Sequence, residues 1–454
     1  MEEFENRLKN VQEISNSIMT SRRNSRRIKY KSSEYKLDKQ KAETLGNEIF
    51  KEIDESNFDL AIDLIKLGAN INQKNPRNQS ALHVLADKNN TEFMKTLLLY
   101  GANPNCVDNN GKTPLMLFCS KWQNLEVIEL LNEYDANFNV VDNEGNSALF
   151  YATKQKNLEY MEYLINNGAN INLTNAKKET PLLLACHDND LECVDLLLKY
   201  KPNYKFTDQQ GYNALTYAIN SEKIDLINLL IENKAGLNFV DEKDQSPLSA
   251  SIVRGNLQVA KLLLNSGAFV DTKDENENTP LMIAINQKKL AFIKILIDNY
   301  AKLDIQNKLG LSPLMIAINK KLNNVSCDLI KKNANLNLKA INGRTALMMA
   351  IKNKSNNIAK ELIYNKADVN LKDNQGNTAL ILAVISGSVE LVKMLIDNGA
   401  DLSLQNNEGK SAQNYASRIN NKAISIALKY AKVKEENNIK TENTNSVVSY
   451  MEMS

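Results

Sequence analysis

The sequence predicts an all-α fold, a solenoid of stacked helix-turn-helix units connected by short hairpin loops. Three observations lead to this prediction: a tripeptide that recurs at a nearly constant step, a helix-start signal within it, and a one-faced apolar helix after it. The tripeptide reads Ser/Thr-Pro/Ala-Leu, with Asn in first place once and Gln in third place once. Its eleven copies are separated by 33 residues, except for a single step of 34, and begin at Ser80, Thr113, Ser147, Thr180, Asn213, Ser246, Thr279, Ser312, Thr345, Thr378 and Ser411.

The tripeptide predicts the start of the first helix in each unit. At Thr113-Pro114-Leu115, the Thr hydroxyl can accept a hydrogen bond from an unpaired backbone N–H. Pro suits the first helical position, because it lacks the backbone N–H that would have no acceptor within the helix there. We expect the Leu to point into the stack.

A second helix follows in each unit, and it is apolar on one face. Adjacent pairs such as Leu130 and Leu131, or Leu196 and Leu197, recur with the spacing of a helix that needs a neighbour to cover it. A hairpin rich in Asp and Asn then leads to the next unit. Several second helices end in Gly-Ala, where Gly can adopt the positive φ that closes a helix, at Gly68, Gly101, Gly168, Gly267 and Gly399.

With these motifs the chain resembles the ankyrin-repeat family, whose period is about 33 residues and whose unit is a turn followed by two antiparallel helices. The resemblance implies full repeats between two capping units, since a terminal unit must present one wet face. We assign an N-terminal cap at 45–76 and a C-terminal cap at 408–431. The repeats between them are 77–109, 110–143, 144–176, 177–209, 210–242, 243–275, 276–308, 309–341, 342–374 and 375–407.

Six units depart from the family pattern where the second helix should end in Gly. A non-Gly residue in the left-handed region costs roughly 1 kcal/mol, so the central units, which contain most of these departures, should open more readily than the ends. The single 34-residue step predicts a longer inter-helix loop around Trp122. His83 occupies the family's histidine position, and we expect it to bond the backbone or the capping hydroxyl. The six departures are Asp135, Lys201, Lys234, Tyr300, Asn333 and Lys366.

Composition fits a soluble repeat protein and argues against several classes of function. A net charge of +2 is small for a protein that binds duplex DNA by charge. No apolar run reaches the roughly 18 residues of a membrane span, and the start lacks the basic flank and apolar stretch of a secretory signal. We therefore expect a reducing compartment, the cytoplasm, and five cysteines that are free thiols, mostly buried.

We predict no catalytic, cofactor or metal site. The chain has two histidines, no Gly-rich phosphate loop and no Gly-x-Ser-x-Gly elbow. His187 lies near Cys186 and Cys193, but this spacing matches no common zinc pattern. The expected partner is a protein rather than a small-molecule substrate, and we expect the chain to be a monomer.

The resemblance implies that function is carried by the concave face, where hairpin tips and first helices grip another protein. Most tips here are polar, so apolar tips are candidates for a contact patch, unless their side chains fold back onto neighbouring turns. Lone aromatic residues in a tip or a loop could anchor a partner. The candidates are Leu309 and Leu311 in one tip, Ala340 and Ile341 in the next, Tyr212 in another, and Trp122 in the longer loop.

The inter-helix turns of repeats seven to nine are rich in lysine. Stacking would set these lysines in a basic ladder suited to an acidic helix or tail. The alternative is an ordinary solvated face, because Lys is abundant throughout the chain. The ladder would comprise Lys288, Lys289, Lys320, Lys321, Lys352 and Lys354.

The two ends differ in character. Residues 1–44 are predicted to be a flexible basic arm, and its basic run is a nuclear address, a contact for nucleic acid or anionic lipid, or a solvated linker. Residues 432–454 are polar and predicted to be disordered. The candidate residues of the basic run are Arg22, Arg23, Arg26, Arg27, Lys29 and Lys31.

The sequence thus predicts a non-catalytic scaffold, adaptor or competitive inhibitor with an unidentified protein partner. Its richness in Lys, Asn and Ile resembles proteins of AT-rich genomes, including bacteria that live inside host cells. An effector delivered into a host cell, with entry into the nucleus, is therefore a further hypothesis. One alternative is a nucleic-acid or anionic-membrane tether that uses residues 21–41, and another is a regulatory part of a larger enzyme complex.

Overall fold

A computed structural model describes residues 32–242, 244–419 and 421–433. The regular structure in these ranges is helical, apart from one isolated bridge between Gln405 and Ser411. The chain divides into two compact units, Met1–Ala214 with Asn228–Ala235, and Leu215–Ile227 with Gly236–Ser454.

Pairs of short helices repeat along the chain and confirm the predicted all-α solenoid. Within the described ranges they are α1 Ser32–Asp54, α2 Phe58–Lys66, α3 Ala81–Lys88, α4 Thr91–Leu99, α5 Pro114–Lys121, α6 Leu125–Glu133, α7 Ala148–Lys154, α8 Leu158–Asn166, α9 Pro181–His187, α10 Leu191–Lys199, α11 Ala214–Asn220, α12 Ile224–Glu232, α13 Pro247–Arg254, α14 Leu257–Asn265, α15 Pro280–Asn286, α16 Leu290–Asp298, α17 Pro313–Asn319, α18 Asn323–Lys331, α19 Ala346–Lys352, α20 Asn356–Tyr364, α21 Ala379–Ser386, α22 Val389–Asp397, α23 Ala412–Ile419 and α24 over 422–433.

In the first unit the helices form two rows. The first helices α3, α5, α7 and α9 pack on one another in sequence, and the second helices α6, α8 and α10 form the other row. Leu82, Leu115, Leu149 and Leu182, the Leu of each tripeptide, are buried between neighbouring repeats. Burying such a side chain contributes about 1.5–3 kcal/mol, so the stack is held chiefly by apolar contact.

The second unit has the same construction. The first helices pack on one another in sequence, and they are α13, α15, α17, α19, α21 and α23. Among the second helices, α14 contacts α16. A separate run of second helices consists of α18, α20 and α22. One continuous hydrophobic core extends from Leu248 to Leu428. Each repeat therefore buries its apolar faces mainly against the repeats on either side.

The tripeptides begin helices as predicted. At most of them the Ser or Thr hydroxyl accepts from the backbone N–H three residues on, as at Thr180 with Leu183, and Pro fills the first helical position where it occurs. Ser147 is an exception, because its buried hydroxyl oxygen has no hydrogen-bond partner among the described residues. At Ser80 the cap is shared with His83.

The left-handed residues expected at the ends of second helices are confirmed. Asp135, Tyr300 and Lys366 have φ values of +61°, +61° and +64°. The glycines at the same position, such as Gly399 with φ +82°, adopt the conformation without a Cβ to strain.

The extra residue of the 34-residue step lies in the inter-helix loop, as predicted. Trp122, Gln123 and Asn124 separate α5 from α6, and Trp122 is extended, with φ −121° and ψ 162°. Equivalent turns, such as the one at Asn89, instead contain a left-handed residue.

Helix α1 begins at Ser32, inside the segment predicted to be a flexible arm, and continues to Asp54. Residues 45–54 continue this helix across the predicted boundary at residue 44. Leu45, Ile49 and Ile53 are buried, and α1 packs against α2 and α3. At the other end, α24 continues through 432–433, and 434–454 lies outside the described residues.

The five cysteines are free thiols, as expected. Cys119, Cys186 and Cys193 are buried, whereas Cys106 and Cys327 are half-buried. Burial raises the pKa of Cys193 to about 12, which disfavours its thiolate. In the described part of the chain, none of the helices has both the length and the apolar content that crossing a bilayer requires.

Candidate functional site

Except at Ala340, each hairpin has one Asp or Asn side chain five residues before the tripeptide, and this side chain holds the turn. The Asp373 carboxylate accepts from the backbone N–H groups of Gln375 and Asn377 at 3.0 and 2.8 Å. Asn307 accepts from Leu309 and Leu311, both at 3.0 Å. These bonds give the turn amides an acceptor within the chain in place of water, so the hairpins project as ordered loops.

Neighbouring hairpin tips are joined through the backbone. In the second unit the amide of Ile341 donates to the carbonyl of Leu309 at 3.1 Å, and the amide of Asn374 donates to Asn342 at the same distance. In the first unit Asn143 donates to Asn110 at 2.9 Å. The tips and the first helices beside them form one surface in each unit, called here the hairpin face.

The hairpin face of the first unit contains a depression of about 380 Å³ with charges of both signs. The Tyr151 hydroxyl donates to the Asp142 carboxylate at 2.6 Å, and the Lys112 ammonium lies 4.8 Å from the Tyr151 ring centre. Burial, and then the bond to Asp142, raises the pKa of Tyr151. The lining residues are Lys112, Glu144, Asn146, Phe150, Tyr151, Lys154, Asn175, Ala176, Lys177, Glu179 and Leu184.

His187 lies at the edge of that depression between two carboxylates. Its Nδ1 lies 3.0 Å from Oε1 of Glu179, and its Nε2 lies 3.2 Å from Oδ2 of the buried Asp208. Cys186 and Cys193 are buried in the stack instead. Among the described residues, no cluster of three or more His, Cys, Asp or Glu side chains is arranged to hold a metal ion.

The second unit has a depression of about 390 Å³ whose lining contains no carboxylate. Ile316 and Leu311 contribute apolar surface to it, and Lys308 and Lys320 contribute positive charge. The lining residues are Asn276, Asn278, Asn286, Asn307, Lys308, Leu309, Leu311, Ile316, Asn319 and Lys320.

An adjoining depression, of about 310 Å³, is acidic instead. Asp244, Asp274 and Glu275 line it together with Val253 and Ile283. The hairpin face of the second unit therefore changes sign from one repeat to the next.

The apolar side chains of the candidate tips differ in exposure. Leu309 and Ile341 are 62% and 65% exposed, and the backbone bond between them makes their tips adjacent. Leu311 is half-buried and lines the carboxylate-free depression. The expectation for Ala340 is wrong: it is 6% exposed, because it occupies the buried position that Asp373 holds in the next hairpin.

The predicted lysine ladder divides into residues with different surroundings. Lys288, Lys321 and Lys354 occupy equivalent positions, each exposed and left-handed, with φ values of +57°, +58° and +55°. Lys289 instead turns back onto the preceding repeat, where its ammonium donates to the carbonyls of Ile252 and Val253. Burial lowers the pKa of Lys289.

The other two ladder residues lie beside this column. Lys320 is exposed and lines the carboxylate-free depression, while Lys352 is exposed at the end of α19. The six lysines are therefore not equivalent. Lys288, Lys321 and Lys354 form one aligned column, and the other three lie outside it.

The two aromatic candidates are engaged within the chain. The Trp122 indole N–H donates to the carbonyl of Ala86 at 2.8 Å, so this half-buried ring is packed on the preceding repeat. Tyr212 is half-buried, and its backbone N–H donates to Asp208 at 2.9 Å. The basic-run residues Arg22, Arg23, Arg26, Arg27, Lys29 and Lys31 lie outside the described residues.

Sequence reasoning missed Ile316 and Lys308 as lining residues. Ile316 lies four residues after the capping Ser312, and Tyr151 and Leu184 hold the same position in repeats that line the other depression. The signal that could have found them is this column, since the residue four after each cap lies on the hairpin face. Recognising this column requires knowing the direction in which the repeats stack, and the 33-residue period alone does not give that direction.

Comparisons with known proteins agree with the fold. The sequence profile described as "Ankyrin repeats (3 copies)" matches residues 53–142, 82–175, 167–241, 220–308, 248–340 and 314–406. Among curated proteins, "Putative ankyrin repeat protein L271" of Acanthamoeba polyphaga mimivirus is 40% identical over 73 residues, which is 16% of this chain and 10% of that protein. A "Putative ankyrin repeat protein" of Rickettsia bellii is 35% identical over 101 residues, 21% of this chain and 59% of that protein. The chain thus spans less than two thirds of either relative.

Solved structures are similar over part of the chain. The ankyrin repeat domain of Bcl-3 aligns with a TM-score of 0.42 and 24% identity, covering 47% of this chain and 97% of that one. EF0377, an ankyrin repeat protein, aligns with a TM-score of 0.37 and 29% identity, covering 40% of this chain and 95% of that one.

Proposed function

The chain belongs to the ankyrin-repeat family, and from that premise we propose that it is a non-catalytic scaffold or adaptor that binds a partner protein through its hairpin face. Repeats of this family generally mediate protein–protein interaction. We propose that the protein functions as a monomer, without a cofactor or a small-molecule substrate.

The observation that carries the proposal is the pair of exposed apolar tips. Leu309 and Ile341 lie on adjacent hairpins, more than half of each side chain is exposed, and the backbone bond between the hairpins holds them together. Beside them lies a concave surface with Leu311 and Ile316 in its lining. Contiguous apolar groups next to a depression support a protein-binding role, because they gain free energy when a partner removes them from water.

The test is affinity capture with the intact chain and with a Leu309→Ser, Ile341→Ser variant. Serine removes the apolar surface without adding charge, and both positions are exposed, so the fold should persist. We expect a protein that is captured reproducibly by the intact chain to be lost by the variant.

The matched control changes two equally exposed leucines on second helices, Leu99→Ser and Leu290→Ser, which are 65% and 60% exposed. This control should retain the partner. Circular dichroism should show the helical content of all three proteins to be equal. Retention of the partner by the tip variant would remove the hairpin face as its binding surface.

The location of the protein is part of the proposal. Free thiols support a reducing compartment, since disulfides persist only in oxidising surroundings. Composition rich in Lys, Asn and Ile supports delivery by an intracellular bacterium into a host cell. A translocation reporter fused to the chain tests delivery, and imaging of the chain with and without residues 1–31 tests nuclear entry through the basic run.

The same deletion separates the scaffold from a tether. Removing residues 1–31 leaves helix α1 whole. We expect the truncated chain to keep its protein partner, whereas a nucleic-acid or anionic-lipid tether would bind much more weakly, because the deletion removes all six candidate residues from Arg22 to Lys31.

A further inference from the structure

The lysines of the carboxylate-free depression lie on two different elements. Lys308 belongs to a hairpin tip, and Lys320 follows the end of α17, so positive charge lies both at the tip and at the helix end. Neither ammonium lies within ion-pair distance of a carboxylate in the described part of the chain. The bond to Lys273 at 2.7 Å and, to a smaller extent, the charge of Lys308 lower the pKa of Glu277, so this carboxylate is already paired.

The positive charge continues along the inter-helix turns next to this depression. Segments 253–258, 286–291, 319–324 and 352–357 contain no Asp or Glu. They contain Arg254, Lys288, Lys289, Lys320, Lys321, Lys352 and Lys354. Since the whole chain carries a net charge of only +2, this edge of the second unit concentrates positive charge locally.

The other depressions differ. Asp244, Asp274 and Glu275 give the adjoining depression of the second unit the opposite sign. In the first unit, Glu144 and Glu179 offset the lysines. A negatively charged ligand should therefore bind the depression at Leu311 in preference to the depressions of similar size on the same chain.

We infer that this depression binds a segment of a partner protein in which a single large apolar side chain is flanked by Asp or Glu residues. The inference rests on the proposed function and names the partner chemistry of the same face. The apolar side chain packs on Leu311 and Ile316, and the flanking carboxylates lie near Lys308 and Lys320.

The composition of the lining supports this occupant. A volume of about 390 Å³ accommodates one side chain and adjacent backbone. Part of the asparagine lining is internally bonded, since Asn307 donates to Asn278 at 2.9 Å and Asn353 donates to Asn319 at 3.0 Å. Charge is consequently what the site offers most strongly to a ligand, with apolar contact second.

The experiment selects peptides from a random displayed library of about 12 residues on the intact full-length chain. We expect the enriched peptides to share one Leu, Ile, Met or Phe with at least two Asp or Glu residues close to it. Affinities are then measured by fluorescence anisotropy at low and at high salt. Affinity should fall with salt, because the charges involved are solvent-accessible.

The decisive variant is Lys308→Glu, Lys320→Glu, in which both changed side chains are exposed. It should bind the enriched peptides about tenfold more weakly or worse, since two attractions become repulsions. The matched control, Lys154→Glu, Lys177→Glu, changes two exposed lysines of the first unit's depression and should bind as the intact chain does. Enriched peptides without an acidic excess, or equal binding by both variants, would overturn the inference.

The two proposals can fail separately. If the Leu309→Ser, Ile341→Ser variant loses a captured partner while the selected peptides show no acidic preference, the inference about partner chemistry fails and the scaffold function stands. If the tip variant retains every partner and no peptide is enriched, both fail.

Discussion

The backbone amide of Ile341 donates a hydrogen bond to the carbonyl of Leu309 at 3.1 Å, and this bond joins the two exposed apolar hairpin tips. Gly310 permits the approach, because a Cβ on that residue would lie 2.8 Å from the Ile341 amide nitrogen. The apolar patch therefore depends on a glycine that does not itself belong to it.

Gly310→Ala should destabilise the chain more than Gly387→Ala. Both glycines are left-handed, with φ values of +68° and +76°, so each substitution costs roughly 1 kcal/mol in backbone strain. A Cβ at Gly387 meets nothing within 4 Å, whereas at Gly310 it meets backbone, which adds about 1–3 kcal/mol. Urea unfolding followed by circular dichroism measures the difference, and equal losses would contradict the crowding at Gly310.

Ala340→Asp should stabilise its hairpin. Ala340 lacks the acceptor that Asp373 supplies one repeat later, and the Arg344 amide donates instead to the Asn342 side chain at 3.1 Å. The buried Nε of Arg344 has no hydrogen-bond partner among the described residues, and the Asp373 carboxylate lies 3.7 Å from it, so a new carboxylate at position 340 would accept from the Arg344 amide and add a second negative charge near Nε. We expect a gain of about 1 kcal/mol.

Hydrogen exchange of the amides at 342–344 checks this gain, which should appear as slower exchange. Asp373→Ala is the matched reverse change and should cost about 1–3 kcal/mol, because it leaves buried turn amides unpaired. Faster exchange in the Ala340→Asp protein would show that burial of the carboxylate outweighs its bonds.

Tyr300→Gly should stabilise the second unit by about 1 kcal/mol. Tyr300 is left-handed with φ +61°, and its side chain is 90% exposed, so the substitution relieves strain and removes little contact. Tyr300→Ala keeps the strain and should leave the stability nearly unchanged. A loss of stability with Gly would mean that chain entropy outweighs the strain.

The same strain predicts that the central repeats open more readily than the ends. Hydrogen exchange measured along the intact chain should show weaker protection around Lys201, Lys234, Tyr300, Asn333 and Lys366. Uniform protection from the second to the tenth repeat would contradict this expectation.

His83 should make the first repeat sensitive to pH. Its Nδ1 lies 2.8 Å from the Ser80 hydroxyl and 3.1 Å from the Ser80 amide, and its Nε2 lies 2.9 Å from the Lys112 carbonyl, as the expected cap requires. Burial lowers the pKa of His83 from its ordinary value of 6.5, and this effect outweighs the bond to the Lys112 carbonyl and the charge of Asp108, which raise the pKa. The unfolded chain therefore takes up a proton at a higher pH than the folded chain.

The stabilisation from neutral His83 is present above pH 6.5 and is lost as the pH falls below that value towards the folded pKa. Met116 holds the equivalent position one repeat later, so His83→Met is the matched variant. Hydrogen exchange of α3 should accelerate between pH 7.5 and pH 5 more in the intact chain than in the variant, after correction for intrinsic rates. An identical pH dependence would show that His83 does not titrate in this range.

Local features were predictable from the sequence to the residue. The capping of Thr180, the left-handed Asp135 and the bonds of His83 with Ser80 depend on neighbours a few positions away. The contact of Lys289 with the Ile252 carbonyl, and that of Trp122 with Ala86, were not predictable, because their partners lie a full repeat earlier.

The sequence by itself determined that the chain is an ankyrin array and where the first helix of each repeat begins, because period, capping and apolar spacing act within one repeat. Only the tertiary structure decided which candidate residues face outward. Stacking buries Ala340 beneath its hairpin, turns Lys289 and Trp122 back onto preceding repeats, and leaves Leu309 and Ile341 exposed side by side. The physical reason is that a hairpin face is built from equivalent positions of successive repeats, so its chemistry depends on contacts about 30 residues apart.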